Sequence, residues 1–167
     1  MDPDKKKIAL RMIPYGIYVL TAKAPDGAVA AATVNFVTQT SFNPPLVAVG
    51  VKADSSAREV VGKAGAFALN ILGKGQQGAA FAFFKPTIMD GDKLSGEPFK
   101  LGVAGAPLLD TAPAVLECRV AEIVARGDHH IVIGEVVGVD LRKQPEGRPD
   151  DAVLAMRDLG EKVFYGG

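Results

Sequence analysis

The sequence predicts a mainly β fold, an antiparallel barrel with short helices over its openings. Two observations lead to this prediction. The chain contains about six apolar segments of strand length but only two or three short segments with a helical pattern. These segments do not alternate regularly as strand, helix and strand, which disfavours a doubly wound parallel sheet. The length of 167 residues fits one domain over 1–167.

The first part of the chain predicts a helix followed by a hairpin. A short helix over Asp4–Ile13 is expected to end at Pro14, because the residue before a proline is biased away from the helical conformation. Strands over Gly16–Ala24 and Ala28–Val37 flank the turn signal Pro25-Asp26-Gly27. This pattern predicts two antiparallel neighbours.

A buried strand and a capped helix follow. Leu46–Val51 is apolar throughout, which predicts a strand buried on both faces. Ser55–Lys63 predicts a helix, because Ser56 and Glu59 fit the S-x-x-E capping box. The later elements are a strand, a helix, a surface excursion, two long strands and a polar loop, over Ala66–Leu72, Gln76–Phe84, Thr87–Gly105, Ala114–Ala125, Ile131–Leu141 and Gln144–Asp151.

The composition excludes several classes of function. Nineteen basic and nineteen acidic residues argue against a nucleic acid or an anionic membrane as partner, because such surfaces need clustered positive charge. The single cysteine, Cys118, excludes an internal disulfide and a cysteine-based zinc site, and it is expected in the core. With no apolar run of about 18 residues and no signal-peptide pattern at its start, the chain is expected to be a soluble cytoplasmic protein.

A row of polar side chains lies between two apolar strand-like segments and is the most informative part of the sequence. Its seven hydrogen-bonding members are Thr33, Asn35, Thr38, Gln39, Thr40, Ser41 and Asn43. Buried polar groups cost free energy unless they are paired. The row therefore faces either water, as the outer side of a hairpin, or a polar ligand.

The helix start at Ser55-Ser56-Ala57-Arg58 is a candidate anion site. A helix N-terminus offers unpaired amides and partial positive charge, to which two hydroxyls and a guanidinium add; ordinary capping is the alternative. Leu46–Val51 leads from the polar row to this helix start, so one long ligand can lie along both. FMN fits such a site, because it has a ring with a polar edge, a ribityl chain and a phosphate.

Two further motifs carry less specific signals. His129 and His130, the only histidines, lie at a predicted hairpin tip. They are either exposed turn residues or imidazoles able to donate to a nicotinamide carboxamide or protonate a reduced flavin. Gly73, Gly75 and Gly78 form a G-x-G-x-x-G pattern, but no second parallel strand follows the predicted helix. We therefore interpret this pattern as a glycine-rich connection and not as a dinucleotide-binding turn.

Several of these segments together resemble a known family. TVNFVTQTSFNPPLVAVGV, Ser55-Ser56, AGAFALNIL and GDHHIVIGEVV occur in this order over roughly Tyr15–Leu141. They are similar to the flavin reductase-like proteins of the FMN-binding split-barrel group. The resemblance implies a six-stranded antiparallel split barrel and a homodimer with flavin near the subunit interface. It also implies that NADH or NADPH reduces FMN or FAD, and that the electrons pass to a monooxygenase or another acceptor.

The resemblance also implies roles for individual residues. His129 would act on the nicotinamide side as the catalytic residue, and Phe84 would cover the ring. The remaining implied contacts run from the isoalloxazine through the ribityl chain to the phosphate: Thr33, Val34, Asn35, Thr38, Gln39, Thr40, Lys52, Ser55, Ser56 and Arg58. Phe36 and Gln39 stand where the family often has serine, and Phe36 is expected on the core-facing side of its strand.

Two other functions fit the same pocket. One is a non-enzymatic FMN-binding electron carrier that another protein reduces. The other is a split-barrel protein that binds haem or a phosphate cofactor of the pyridoxal type.

Overall fold

A computed structural model describes residues 1–167. Its strands are β1 Tyr18–Lys23, β2 Val29–Val34, β3 Val37–Phe42, β4 Pro45–Lys52, β5 Ala66–Ile71, β6 Met89–Asp90, β7 Lys93–Leu94, β8 Glu97–Leu101, β9 Pro107–Leu109, β10 Ala114–Val124 and β11 His129–Leu141. The helices are α1 Pro3–Arg11, α2 Ser56–Ala64 and α3 Gln77–Ala82, with 3₁₀ turns at Pro149–Ala152 and Met156–Leu159. No helix combines the length and apolar character needed to cross a membrane.

The main sheet has seven antiparallel strands in the order β2-β1-β5-β10-β11-β4-β3. It contains all six predicted strands, including the predicted hairpin of β1 and β2, in which Leu20 lies opposite Ala32. The seventh strand, β3, is a part of the polar row. A second, four-stranded sheet has the order β6-β7-β8-β9.

The predicted single strand over Ala28–Val37 is interrupted at Asn35 and Phe36. There the chain leaves β2, at one edge of the sheet, and enters β3, at the other edge. Two hydrogen bonds fix the break: Val37 N–H donates to the Asn35 carbonyl at 2.9 Å, and Gly50 N–H donates to the Phe36 carbonyl at 2.8 Å. The two sheet edges are thus joined by two residues of chain, which rolls the sheet into the predicted split barrel.

Alternate side chains of the main sheet face two different hydrophobic cores. The inner core lies within the rolled sheet, where Phe67 and Leu69 pack with Val61 of α2. The outer core lies on the other face and includes Leu108 and Leu94 of the small sheet. The prediction of a surface excursion over Thr87–Gly105 is therefore wrong in part, since Leu94 is fully buried.

The start of α2 differs from the predicted capping box. Ser55 is the N-cap, one residue earlier than expected, and its Oγ accepts a hydrogen bond from Arg58 N–H at 3.2 Å. Glu59 does not reach back to the cap but pairs with Lys63 at 2.8 Å, one helical turn further on. The chain leaves β4 at Lys52, so this cap fixes the helix start close to the end of that strand.

Cys118 is fully buried in the inner core, which confirms the sequence prediction. Burial raises the pKa of its thiol to about 12. The thiolate is the reactive form of cysteine, so Cys118 is a packing residue and not a nucleophile.

Candidate functional site

A cavity of about 250 Å³ opens where β2, β4 and β11 meet the start of α2 and the end of α3. Its polar lining residues are Thr33, Asn35, Lys52, Ser55, His129 and Tyr165. Its apolar walls include Val34, Val51, Phe83, Phe84 and Met156. Apolar walls with a few converging polar groups are typical of small-molecule sites.

Seven of the twelve residues that the sequence singled out line this one cavity. They are Thr33, Val34, Asn35, Lys52, Ser55, Phe84 and His129. The other five do not line it: Thr38, Gln39, Thr40, Ser56 and Arg58. Sequence reasoning missed Phe83, Met156 and Tyr165. Met156 lies in a short 3₁₀ turn and Tyr165 in irregular structure, and neither place carries a periodic pattern.

Thr33 joins the cavity wall to α3. Its hydroxyl donates to the Ala80 carbonyl at 2.6 Å, and its backbone N–H donates to the Phe83 carbonyl at 3.2 Å. These bonds cover the edge of β2 and fix the end of α3. Phe83 and Phe84 are thereby held against the cavity.

Asn35 supplies a buried polar group to the cavity, with only 4% of its surface exposed. Its amide Nδ2 donates to the Tyr165 carbonyl at 3.0 Å. The side-chain oxygen accepts no hydrogen bond from the chain. This oxygen is therefore free to accept a hydrogen bond from a ligand N–H group in the cavity.

The polar row does not form one continuous wall. Thr38, Gln39 and Thr40 are exposed on the edge strand β3 and bond to nearby backbone carbonyls, as in the 3.1 Å bond from Gln39 Nε2 to Ser41. Thr38 lies opposite Ala48 in the sheet. At roughly 3.3 Å per residue, Ala48 is about 13 Å along β4 from Lys52. Lys52 and these β3 side chains therefore start from backbone positions that are well separated along the sheet.

Arg58 points along its own helix and not toward the cavity. Its Nε donates to His130 Nδ1 at 3.1 Å. Its guanidinium also covers Gly62, where an added Cβ would come within 2.8 Å of Nη1. The phosphate role implied for Arg58 would require this side chain to leave His130.

Lys52 and Ser55 are the groups at the α2 end of the cavity. Ser55 Oγ donates to the Lys52 carbonyl at 2.7 Å, which ties the helix cap to the end of β4. The Lys52 ammonium lies 3.0 Å from Asp54, and this hydrogen-bonded ion pair raises the pKa of Lys52 and lowers that of Asp54. Lys52 thus remains a cation at the cavity, at the N-terminal end of a helix dipole.

His129 lies between two hydrogen-bonding groups. Its Nδ1 is 2.9 Å from the Asp128 carboxylate, and its Nε2 is 2.7 Å from the Tyr165 hydroxyl. The bond to His129 holds the pKa of Asp128 below its ordinary value, so this carboxylate stays ionised at neutral pH and only accepts. In the neutral ring the proton is therefore on Nδ1, and Nε2 accepts from Tyr165. Protonation of the ring would turn Nε2 into a donor.

Phe36 does not occupy the core-facing position expected for it. It is half-buried at the cavity rim, with its ring centroid 5.3 Å from those of Tyr15 and His129 and 5.7 Å from that of Tyr165. A Cβ added at Gly50 would come within 2.9 Å of the Phe36 Cβ, so the bulky ring depends on this glycine. Tyr15, Phe36 and Tyr165 form an aromatic group, in which Phe36 and Tyr165 hold the imidazole in place by edge-on contacts.

The family of the chain is shown by comparison with known proteins. Residues 10–159 match the model of the flavin reductase like domain. The chain belongs to this family. A flavin reductase of Pseudomonas putida is 34% identical to this flavin reductase-like domain over 157 residues, which is 94% of the chain and 88% of the relative.

Other relatives and solved structures to which the chain is similar are also flavin reductases. The FMN reductase (NADH) RutF of Pseudomonas syringae is 30% identical over 81% of this domain and 74% of its own length. The styrene monooxygenase flavin reductase of Pseudomonas putida S12 has a TM-score of 0.73 at 28% identity, covering 98% of this chain and 96% of that one. Longer relatives also occur, such as a probable flavin reductase of Rhizobium meliloti, of which the chain covers 44%.

The cavity fits one part of a flavin nucleotide by its chemistry. Val34, Phe83 and Met156 provide apolar surface for a planar ring, while Asn35 offers an acceptor for a ring N–H group. Small-molecule sites usually measure about 300–1,000 Å³. The cavity of about 250 Å³ lies below this range, so it can hold only a part of the nucleotide, and the rest would extend beyond it.

Proposed function

We infer that this protein is a flavin reductase that uses NADH or NADPH. The observation that carries the inference is the meeting of Asn35, Lys52 and His129 in one cavity, in a chain of the flavin reductase like family. The bound flavin supplies the hydride-accepting chemistry, and the protein supplies binding, orientation and electrostatics.

We propose the following roles for the cavity residues. Thr33, Val34 and Asn35 face the flavin ring, and the Asn35 side-chain oxygen accepts from it. Lys52 and Ser55 hold the phosphate at the start of α2, where backbone amides and the helix dipole favour an anion. Ser56, exposed at the first helical position, is a secondary phosphate contact.

Two sets of side chains have different roles in this proposal. Phe83 and Phe84 keep water from one side of the ring, because Thr33 fixes the end of their helix. His129 binds the nicotinamide carboxamide through Nε2. The neutral ring accepts from the carboxamide NH₂ group, and the protonated ring donates to the carboxamide oxygen.

The assay for this function uses purified protein with each pairing of NADH or NADPH and FMN or FAD. We expect the absorbance of the reduced nicotinamide to fall only when protein and flavin are both present. Controls without protein and without flavin correct for spontaneous oxidation. If the protein binds FMN but oxidises neither nucleotide, the electron-carrier alternative replaces this proposal. An absence of flavin binding contradicts both.

The electrons are proposed to leave with reduced flavin for a partner oxygenase or another acceptor. This step is supported by relatives named as reductase components, the styrene monooxygenase flavin reductase and the stachydrine N-demethylase reductase subunit of Rhizobium meliloti. Phe84 at the cavity is 50% exposed, so the site borders the surface of the protein.

A homodimer is also part of the proposal. Val137, Val139 and Leu141 expose apolar side chains on one end of β11, with 65% of Val139 accessible. Contiguous exposed apolar groups mark association surfaces. Light scattering on the purified protein is expected to give twice the mass of the chain. Val139→Asp should shift the mass toward that of the monomer, and Val103→Asp, at another exposed valine, serves as the matched control. A monomeric wild-type protein would contradict the dimer.

A further inference from the structure

Tyr165 makes two hydrogen bonds to residues of the candidate site. Its hydroxyl lies 2.7 Å from Nε2 of His129, and its backbone carbonyl accepts from the Asn35 amide at 3.0 Å. Both partners line the cavity, and so does Tyr165. A residue 36 positions from His129 in the chain thus contacts the two polar groups that the proposed function needs most.

The Tyr165 hydroxyl is hydrogen-bonded to Nε2 of His129, the nitrogen that a nicotinamide carboxamide would contact in the proposed function. Nδ1 of His129 is hydrogen-bonded to Asp128, so Nε2 is the one ring nitrogen that can bind a ligand. Tyr165 already fills that position at ordinary hydrogen-bond length. A carboxamide and the phenol cannot both bond to this nitrogen in the plane of the ring.

Tyr165 also takes up space between two cavities. A larger cavity of about 830 Å³ lies beside the first, and the two share only Tyr165 and Met156 among their lining residues. The Tyr165 ring packs edge-on against His129, with centroids 5.7 Å apart. Movement of this ring would enlarge the smaller cavity toward the larger one.

The end of the segment that carries Tyr165 is held to α1 by exposed contacts. No helix or strand follows Leu159. Arg11 donates from Nε to the Gly166 carbonyl at 3.2 Å and covers the Phe164 ring at 4.5 Å from its centroid, but Arg11 and Phe164 are both exposed. Exposed contacts of this kind stabilise weakly, so the Tyr165 ring can move away from His129 while the Asn35 bond and the packing of Val163 on the outer core keep the segment on the barrel.

We propose that Tyr165 is a gate on the nicotinamide side of the site. It holds Nε2 of His129 when no nicotinamide nucleotide is bound, and it leaves this nitrogen when the carboxamide binds. This inference rests on the proposed function. Only the open fraction of the protein binds the nucleotide, so the apparent affinity for NADH falls in proportion to that fraction. Tyr165 therefore lowers affinity without taking part in hydride transfer.

The first test compares Tyr165→Phe with wild type in steady-state kinetics. The variant keeps the ring but loses the hydroxyl, and one such hydrogen bond corresponds to about two- to tenfold in an equilibrium constant. We expect KM for NADH to fall by about this factor while kcat stays within roughly twofold. Tyr15→Phe is the matched control, because Tyr15 belongs to the same aromatic group and its hydroxyl makes no hydrogen bond. This control should leave both parameters unchanged.

The second test observes Tyr165 without turnover. The chain has three tyrosines, so protein labelled with 3-fluorotyrosine gives three fluorine resonances, and Tyr165→Phe identifies the one from Tyr165. Titration with NAD⁺ to saturation is expected to move this resonance to the position of a solvent-exposed tyrosine.

The gate is overturned by either of two results. One is a Tyr165 resonance that NAD⁺ does not move. The other is a Tyr165→Phe variant whose kcat falls while KM is unchanged, which would make Tyr165 a residue that positions His129 for the reaction. If wild-type protein does not oxidise NADH with any flavin, the proposed function fails. The NAD⁺ titration then still decides the gate, by movement of the Tyr165 resonance or its absence.

Discussion

Replacing His129 by alanine is expected to lower kcat/KM for NADH by about 10- to 100-fold, the effect of one hydrogen bond that involves a charged or strongly polarised group. Flavin binding should change by less than about twofold, since Asn35, Lys52 and Ser55 remain. The reason is geometric: Asp128 fixes the imidazole so that Nε2 points at the cavity. Alanine removes the imidazole, and with it the Nε2 atom that would bond to the carboxamide.

His130→Ala is the matched control for this experiment. It is the same substitution one residue further along β11, where successive side chains point to opposite faces. His130 bonds to Arg58 and does not line the cavity. Steady-state oxidation of NADH and flavin titration on both variants check the prediction. Equal loss of activity in the two would show that the effect comes from the strand end and not from the imidazole.

The elements that could be predicted from the sequence are those whose structure is decided by residues close together in the chain. Strand-length apolar segments bounded by turn residues, such as Ala66–Leu72 and Leu46–Val51, appear as β5 and β4 within one residue at each end. The burial of Ala66–Leu72 follows from its composition, but Leu46–Val51, predicted to be buried on both faces, alternates between buried and half-buried residues. The Gly127-Asp128 turn predicts a hairpin tip that includes His129, whereas His129 is the first residue of β11, two residues before the predicted start of that strand.

The errors arise where a distant contact decides the local structure. Between Ala28 and Val37 only Asn35, a residue type that is uncommon in strands, hints at the break at Asn35 and Phe36. The bond that holds Phe36 there comes from Gly50, 14 residues further on. The orientation of the Arg58 side chain is a second example, because it depends on a hydrogen bond to His130, 72 residues later. Tyr165 had no signal at all, since irregular segments lack the periodicity on which prediction depends.

Replacing Asn70 by alanine is expected to lower the free energy of unfolding by about 3 kcal/mol, at the high end for a single substitution. Asn70 is fully buried on β5. Its amide Nδ2 donates to the Val19 carbonyl at 2.9 Å and the Thr21 hydroxyl at 3.1 Å, and its Oδ1 accepts from Leu109 N–H at 2.8 Å. It thus joins the main sheet to β9 of the small sheet.

Alanine at this position would leave the buried Leu109 N–H without a partner, and water cannot replace the lost oxygen in a packed core. Denaturant unfolding measures the change, with Gln39→Ala as a control that removes an amide whose bond lies on the exposed strand β3. The control should stay within about 0.5 kcal/mol of wild type. A loss below about 1 kcal/mol for Asn70→Ala would mean that the two sheets are joined by apolar packing alone, because one unsatisfied buried group already costs that much.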